Sequence, residues 1–364
     1  MRTNALRDHL ASLPELPAFP LVSVVMAVRN EARHITSALD AVRLQDWPQA
    51  ALEIIVADGG SDDETRALVA RVGSRDPRVR LVDNPARFAA HGLNLAIAAA
   101  RGAIVVRVDG HCRIPASYVR AAVEALQRGE AECVGGPVRT LSLRPMGESI
   151  AMAMSTRWGV GGATFRVARE RGPVDHLPFG AWRRETLLWL GGFDERFVRN
   201  QDDELSDRLR RAGGRILMLP DQCVDYWCRD SLTGLARQYF GYGLWKVQGI
   251  RVRGGTPASF RHIVPAALLV ALLAGGLLGA AFANPVFALT TPLAYLAFLT
   301  IATLESYVAG GSAAWGLPLV LPVLHAAYGA GFLRALFLAG PPPAAPSLAF
   351  EAASPPPESL KEAA

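Results

Sequence analysis

Cysteine is scarce in this sequence, and its spacing matches neither a disulfide scaffold nor a zinc site. The 364 residues include four cysteines, with no CxxC pair and no histidine at zinc-finger spacing. We therefore expect reduced thiols in a cytosolic environment. Glycine has no fixed period and proline is scattered, which excludes a collagen-like chain. Because 51% of the residues are hydrophobic, a wholly disordered protein is excluded as well.

Charge is nearly absent from a long stretch towards the end of the chain. Between Ile263 and Gly340 the only ionisable acids or bases apart from His325 are Glu305 and Arg334. The net charge of +5 is mild for this length and gives no reason to expect a nucleic-acid partner. The sequence therefore divides into a charged block of soluble character and an apolar block that follows it.

The apolar block contains three uncharged segments of membrane-spanning length, which are residues 263–283, 285–304 and 313–333. The first twenty residues lack an apolar run long enough for a signal peptide. Arg251, Arg253 and Arg261 precede the first segment, so the positive-inside rule places the N-terminal block in the cytoplasm. The third segment contains two prolines and a histidine, and it either spans the membrane or forms a re-entrant segment that returns to the same side. We expect a membrane region over 263–339 with two or three spans, and a disordered Pro-rich tail over 341–364.

The charged block alternates short β-rich runs with helical stretches. Buried strands are predicted over residues 21–28, 52–57, 79–82 and 103–108, with helices between them. This alternation predicts an α/β fold with a mostly parallel, doubly wound sheet over residues 20–230, after an N-terminal extension over 1–19. Residues 231–260 are predicted as an amphipathic helix at the membrane interface, or as a surface helix of the soluble domain.

Four groups of polar side chains are candidates for chemistry. Asp58 and Asp109 both follow strands, where open α/β sheets bind their ligands, although Asp58 also suits a simple turn. Asp109 and His111 are spaced to hold one divalent cation, which would neutralise a leaving diphosphate. The acidic run over 200–204 opens a helix and serves either as a cap or as a source of a general base. Basic and aromatic residues over 237–246 suit phosphate binding or membrane anchoring.

In this order, the motifs resemble those of the family 2 glycosyltransferases, which have the GT-A nucleotide-diphospho-sugar fold. The matching stretches are VVMAVRNE at 24–31, VADGGSDD at 56–63, VDGH at 108–111, GGFDERF at 191–197 and NQDDEL at 200–205. The runs at 174–185 and 235–246 narrow the resemblance to the ExoA group of succinoglycan-biosynthesis glucosyltransferases. Members of that group are membrane-attached enzymes that extend a lipid-linked oligosaccharide.

The resemblance implies a role for each matching position. Asp58 would meet the uracil or ribose of a UDP-sugar, and Ala27, Arg29 and Glu31 would line the nucleotide pocket. Asp109 would lie near the ribose and diphosphate and, with His111 in place of the usual second Asp, would bind Mn²⁺ or Mg²⁺. Asp202 would be the general base, whereas Gln201 replaces the usual glutamate. Contacts to acceptor or phosphate are expected from Trp182, Arg183, Arg184, Asp203, Glu204, Arg237, Gln238 and Trp245, with residues 166–177 as a lid.

The resemblance implies an inverting, metal-dependent transfer of a sugar, glucose by default, from a UDP-sugar to a polyprenyl-diphosphate-linked acceptor. The expected setting is bacterial exopolysaccharide synthesis at the inner membrane, with the catalytic domain in the cytoplasm and assembly proteins as partners. The alternatives are a processive polysaccharide synthase, a polyprenyl-phosphate glycosyltransferase, or a non-catalytic membrane scaffold.

Overall fold

The computed structural model describes residues 4–167, 170–252, 260–338 and 340. Its contacts divide the described chain into two compact units. The first comprises residues 4–139 and 170–226, and the second comprises the remaining described residues. Residues 140–167 and 227–230 of the predicted domain over 20–230 fall in the second unit, and the predicted domain bounds stay a prediction. The predicted tail at 341–364 and residues 253–259 of the predicted interfacial segment lie outside the described residues.

Eleven strands are present in the described chain. In chain order, β1 to β11 are Val22–Val28, Leu52–Asp58, Val79–Asp83, Ile104–Arg107, Cys112–Arg113, Cys133–Gly135, Val138–Leu141, Gly172–Pro173, Gly180–Arg183, Ile216–Met218 and Val224–Trp227.

Fourteen α-helices are present in the same part of the chain. In order, α1 to α14 are Asn4–Ser12, Ile35–Arg43, Thr65–Gly73, Ala89–Ala99, Tyr118–Gln127, Pro145–Ser155, Arg157–Val160, Thr164–Val167, Arg184–Trp189, Gln201–Arg211, Leu232–Val252, Val264–Ala281, Pro285–Gly310 and Leu317–Leu336. Short 3₁₀ turns add Gln49–Ala51, Phe260–His262 and Ser312–Gly316.

The first unit is built on an eight-stranded mixed sheet with the order β3-β2-β1-β4-β9-β6-β10-β8. Strands β1 to β4 are parallel, and β9 runs antiparallel between β4 and β6. Strands β2 and β4 are buried along their whole length, as expected of parallel strands covered on both faces. A smaller sheet has the order β5-β11-β7. The parallel half matches the predicted strands, and it places the ends of β2 and β4 on either side of the end of β1.

One buried carboxylate gives the first unit a pH-dependent stability. Asp76 accepts hydrogen bonds at 2.7 Å from Arg78 Nη2 and at 2.7 Å from Arg43 Nε. These guanidinium groups hold the pKa of Asp76 well below its usual range. A carboxylate with a lowered folded-state pKa contributes stability above its unfolded pKa of about 4, and loses it as the pH falls towards the folded value.

We expect Asp76→Asn to lower the free energy of unfolding by about 2 kcal/mol at neutral pH, because it removes charge-assisted hydrogen bonds. It should also flatten the fall in stability below about pH 4. Urea unfolding of the solubilised protein, followed across this pH range, measures both effects. Asp46→Asn is the control, since Asp46 pairs with Arg120 on the surface and its loss should change little. An unchanged pH slope in Asp76→Asn would contradict the assignment.

The second unit packs helices through glycines. A Cβ on Gly243 of α11 would overlap the Tyr328 carbonyl of α14, and one on Gly331 of α14 would overlap the Phe240 carbonyl of α11. Glycine at both positions lets the two backbones approach closely. Helices α12, α13 and α14 are long and apolar enough to cross a membrane, and they correspond to the three predicted segments.

Candidate active site

Asp58 ends β2 and is buried, with 2% of its surface exposed. Its Oδ1 accepts a hydrogen bond from the Ser61 hydroxyl at 2.5 Å, and its Oδ2 accepts one from the Ser61 N–H at 3.2 Å. These bonds hold the turn that follows β2. Asp58 therefore has the turn role that the sequence left open, and its nucleotide-binding role stays a prediction.

The loop after β1 is braced against that turn. Asn30 has a φ of 57°, a left-handed conformation that asparagine tolerates better than most residues. Its N–H donates to Ser61 Oγ at 3.0 Å, and its side-chain oxygen accepts from the Asp62 N–H at 3.0 Å. The Glu31 N–H donates to Thr65 Oγ1 at 2.7 Å. These hydrogen bonds fix the loop that carries Arg29 and Glu31, two of the residues predicted to line the nucleotide pocket.

The predicted nucleotide-binding residues share this end of the sheet. Ala27 pairs in register with Ala57, and Val28 pairs with Asp58. Arg29 follows β1 and is exposed. Strands β2 and β4 both adjoin β1, so Asp58 and Asp109 are expected about 10 Å apart across one strand.

A buried arginine on β4 joins two of the predicted acids. Arg107 is 5% exposed, and its Nε and Nη2 each donate to Asp109 Oδ1 at 3.2 Å. Its Nη1 lies 3.8 Å from Asp202 Oδ2 and has no hydrogen-bond partner within the described chain. The rings of Phe179 and Phe193 lie 5.8 Å from the guanidinium carbon. The arginine thus lies between the carboxylates of Asp109 and Asp202.

The charge of Arg107 is retained despite its burial. Burial disfavours the charged guanidinium, but the carboxylates of Asp109 and Asp202 outweigh that effect and raise the pKa of Arg107. In turn, a fixed positive charge beside the carboxylates of Asp109 and Asp202 reduces the repulsion between them.

Asp202 lies in the first turn of α10, where the helix dipole favours a negative charge. Its Oδ1 accepts a hydrogen bond from the Asp203 N–H at 3.0 Å. Its Oδ2 lies 3.6 Å from His176 Nε2, and His176 Nδ1 lies 3.1 Å from Ser206 Oγ. Asp202 therefore faces Arg107 on one side and His176 on another.

Sequence reasoning singled out neither of these neighbours, although the predicted lid over 166–177 includes His176. Arg107 stands two positions before Asp109, and strand alternation places residues at this spacing on one face of a sheet. The sequence could therefore have indicated this contact. His176 lies in the loop before β9 and meets α10 only through the tertiary fold, and no spacing in the sequence indicates the contact.

His111 and Asp109 flank Gly110 on the loop after β4. A Cβ on Gly110 would lie 2.9 Å from Val28 Cγ1, so glycine lets this loop pack against the end of β1. His111 Nδ1 lies 2.8 Å from Glu31 Oε1. A carboxylate in that position orients the imidazole as in many metal sites.

The Asp109 carboxylate and the His111 imidazole suit a divalent cation that is also coordinated by a substrate. No three His, Cys, Asp or Glu side chains cluster as ligands within the described residues. One carboxylate and one oriented imidazole leave several coordination positions open, which phosphate oxygens and water would fill. The residues present therefore fit a metal bound together with a nucleoside diphosphate.

Three predicted acceptor contacts lie elsewhere. Strand β9 runs antiparallel to β4, with Trp182 opposite Val105 and Arg183 opposite Ile104. Arg183 and Arg184 therefore lie at the sheet edge opposite Asp109. Arg183 Nη2 donates to the Pro14 carbonyl at 2.6 Å, and Trp182 is buried. The structure does not bring these residues to the site, because the direction of β9 carries them away from it.

Glu204 also faces away from Asp202. It is 5% exposed and accepts hydrogen bonds from Arg208 at 2.6 and 2.9 Å. Arg208 in turn donates to the carbonyls of Leu190 and Gly192. Glu204 therefore stabilises the loop before α10. Asp203, beside Asp202, is partly exposed.

The remaining predicted contacts belong to the second unit, where Arg237, Gln238 and Trp245 lie on α11. Gln238 Nε2 donates to the Tyr242 hydroxyl at 2.8 Å, and Arg237 is exposed.

Residues 168 and 169 of the predicted lid lie outside the described chain. Within that lid, β8 pairs with β10 at the sheet edge.

Comparisons with known proteins agree on one family. The model of the family described as Glycosyl transferase family 2 matches residues 23–184. The succinoglycan biosynthesis protein ExoA of Rhizobium meliloti is 32% identical over 273 residues, which cover 74% of this chain and 79% of that protein. A dolichyl N-acetyl-α-D-glucosaminyl phosphate 3-β-D-2,3-diacetamido-2,3-dideoxy-β-D-glucuronosyltransferase of Methanococcus voltae is 24% identical over 246 residues, covering 64% and 74%.

A solved structure has the same fold. The mannosyltransferase PcManGT from Pyrobaculum calidifontis, solved with GDP-Man and Mn²⁺, superposes with a TM-score of 0.52 at 23% identity. The superposition covers 91% of this chain and 92% of that one. The predicted GT-A fold with apolar C-terminal helices is confirmed, as is the resemblance to the ExoA group.

Proposed function

The chain belongs to glycosyl transferase family 2, and on that premise we propose that it transfers a sugar, with inversion, from a UDP-sugar to a lipid-linked oligosaccharide. The observation that carries this proposal is the bridge made by Arg107. It holds Asp109, which follows β4 at the carboxyl ends of the parallel strands, beside Asp202 in the first turn of α10. A donor diphosphate held through a divalent cation at Asp109 and an acceptor hydroxyl at Asp202 would meet there.

The donor is assigned to the ends of β1, β2 and β4. Ala27, Arg29, Glu31 and Asp58 would contact the nucleoside, and Asp109 would lie beside the ribose and diphosphate. The loops that carry these residues are fixed by the bonds of Asn30 and Ser61, so the pocket needs little ordering when the donor binds.

Asp109 and His111 would hold Mn²⁺ or Mg²⁺ with the donor. A divalent cation bound there would neutralise the charge that develops on the departing diphosphate. Glu31 orients His111 through the 2.8 Å contact, and Arg107 orients Asp109. The relative PcManGT was solved with Mn²⁺, which supports this assignment.

Asp202 is proposed as the general base. Its carboxylate would accept the proton of the acceptor hydroxyl while that oxygen forms a bond to the anomeric carbon. The bond from the anomeric carbon to the diphosphate breaks on the opposite face, and UDP leaves with that electron pair. Single displacement of this kind inverts the anomeric configuration. His176 and Arg107 would keep the carboxylate oriented for the transfer.

The second unit and the similarity to ExoA support the proposed acceptor and cellular site. Helices α12, α13 and α14 would anchor the enzyme at the bacterial inner membrane, with the catalytic domain in the cytoplasm. Anchoring raises the effective concentration of a polyprenyl-diphosphate-linked acceptor. Glucose as the sugar and exopolysaccharide assembly proteins as partners are proposed by similarity to ExoA.

Release of nucleoside diphosphate by the detergent-purified protein tests the function. Donors to compare are UDP-glucose, UDP-galactose, UDP-GlcNAc, UDP-glucuronate and GDP-mannose, each with membrane lipid extract as the source of acceptor. Release that depends on one UDP-sugar and on the extract would support the proposal. Release from GDP-mannose alone would contradict the UDP assignment. Donor binding without release from any donor, in extract from exopolysaccharide-producing cells, would favour the scaffold alternative.

Removal of the metal is expected to lower that release by roughly two orders of magnitude, because cation stabilisation of a leaving diphosphate is worth several kcal/mol. EDTA followed by gel filtration gives the stripped protein, and added Mn²⁺ or Mg²⁺ should restore the rate. Asp109→Asn should need more metal for half-maximal rate than the unmodified protein. Full activity in the stripped protein would contradict the metal assignment.

A further inference from the structure

Helices α12 and α13 form an antiparallel hairpin joined by residues 282–284. A Cβ on Gly275 would lie 2.6 Å from the Phe287 carbonyl oxygen, and one on Gly279 would lie 2.9 Å from Ala288 Cβ. The end of α12 therefore packs on the beginning of α13. It follows that the start of α12 and the end of α13 both lie at the other end of the hairpin, which we call its base.

Helix α14 begins at this base, beside the end of α13. The rings of Tyr307 on α13 and Trp315, just before α14, lie 5.3 Å apart. The Ala313 carbonyl accepts a hydrogen bond from Ser149 Oγ of α6 at 2.8 Å. Arg157 of α7 pairs with Glu305 of α13 at 2.7 Å.

The far end of α14 returns to the base, beside the start of α12. A Cβ on Gly329 would lie 2.5 Å from the Pro265 carbonyl oxygen and 2.9 Å from Leu269 Cδ1. Phe332 and Ala335 pack with Ala266 in one buried cluster.

The last turn of α14 is also tied to α11. Arg251 Nη2 donates to the Leu336 carbonyl at 3.0 Å, and Arg251 Nη1 donates to the Leu338 carbonyl at 2.7 Å. Arg251 lies in the last turn of α11 and precedes the whole hairpin. The end of α14 is therefore held at the level where the chain starts its first apolar helix.

The middle of α14 is held by the segment over 140–167. His325 Nε2 lies 3.0 Å from the Trp158 carbonyl oxygen, and His325 Nδ1 lies 2.9 Å from the Tyr295 hydroxyl. Trp158 comes from the charged block of the sequence, which precedes α12, α13 and α14. A spanning α14 would instead run along α12 towards residues 281–290.

In the half of the hairpin around the turn at 282–284, apolar side chains are exposed that a bilayer would cover. Its large exposed apolar side chains are Leu273, Leu277, Leu278, Phe282, Val286, Phe287, Leu289 and Leu293. At 1.5 Å per residue, α12 is about 27 Å long and α13 about 39 Å, close to or above the roughly 30 Å of a hydrocarbon core. The hairpin alone is therefore sufficient to cross.

We propose that α12 and α13 are the only membrane-crossing helices of the described chain, and that α14 lies with α11 in the leaflet at the base of the hairpin. The partner of the surface formed by α11 and α14 is then the lipid of that one leaflet. Gly340 emerges on the side from which α12 starts. This inference rests on the membrane location proposed above and is independent of the transfer reaction, so each can fail without the other.

Cysteine labelling of the full chain in sealed spheroplasts tests the proposal. We expect Phe282→Cys, at an exposed position of the hairpin turn, to react with a membrane-impermeant maleimide from outside. Gly340→Cys should react only after permeabilisation. Arg229→Cys, exposed and before α11, shows that the spheroplasts are sealed, and the unmodified chain shows the labelling of its own four cysteines.

Labelling of Gly340→Cys in sealed spheroplasts would overturn the proposal, because three spans place that residue outside. Protection of Phe282→Cys would overturn it too, because the hairpin would then not cross. A fluorescent protein fused after Ala364 gives a second readout. It should fluoresce if the end of the chain stays in the cytoplasm and be dark if α14 spans.

Discussion

Asp202→Asn is expected to reduce transfer by roughly a thousandfold, within the range that a positioned general base supplies. The amide keeps the size of the side chain and the bond from the Asp203 N–H, but it does not accept the proton of an acceptor hydroxyl. Donor binding should change little, because the proposed nucleotide contacts lie on β1, β2 and β4. The loss should therefore be in kcat, as measured by UDP release with saturating donor and lipid extract.

Asp207→Asn is the matched control for this substitution. Asp207 lies on the same helix, but its carboxylate pairs with Arg211 at 2.9 Å and with Arg210 at 3.3 Å. An unchanged rate in Asp207→Asn beside a large loss in Asp202→Asn would assign the effect to the base. Release unchanged in Asp202→Asn would show that another group accepts the proton.

The parallel half of the fold and the position of two acids could be predicted from the sequence. Strands β1, β2 and β4 are mostly apolar and almost wholly buried, as expected when both faces of a parallel sheet are covered. Asp58 and Asp109 follow such runs, so their place at the carboxyl edge followed from strand direction alone. Parallel βαβ connections are almost always right-handed, so the arrangement of these strands depends mainly on neighbouring stretches of the sequence.

The direction of β9 could not be predicted in that way. A strand of four residues carries no mark of its direction, and β9 lies antiparallel between β4 and β6. That single reversal moves Arg183 from the expected site to the opposite edge. It also sets the path of the loop before β9, which brings His176 to Asp202. Contacts of this kind depend on tertiary packing rather than on local pattern.

Arg107→Met is expected to lower kcat/KM by roughly a hundredfold, because it removes the charge that holds Asp109 beside Asp202. Methionine fills much of the same volume without a charge. The two carboxylates would then lie close together in a site lined by Phe179 and Phe193, without the guanidinium between them. The same change should lower the free energy of unfolding by about 3 kcal/mol, because it breaks a buried ion pair.

Arg208→Met separates the two effects. Arg208 is also largely buried and pairs with Glu204, but its other bonds go to the carbonyls before α10 rather than to the site. We expect it to lower stability by a similar amount while leaving kcat per folded molecule unchanged. Thermal unfolding gives the folded fraction by which each rate is divided.

Arg107→Lys distinguishes the effect of the positive charge from the effect of the guanidinium geometry that contacts Asp109 and faces Asp202. Lysine keeps the positive charge but has a single ammonium in place of the planar fork that reaches Asp109 with two nitrogens and faces Asp202 with a third. An intermediate rate in Arg107→Lys would mean that both charge and geometry contribute. A rate equal to that of the unmodified protein would mean that charge alone suffices. Full kcat/KM in Arg107→Met would mean that the contact of Arg107 with Asp109 and Asp202 serves only packing. The assignment of the donor to Asp109 and of the acceptor to Asp202 would then lose its support.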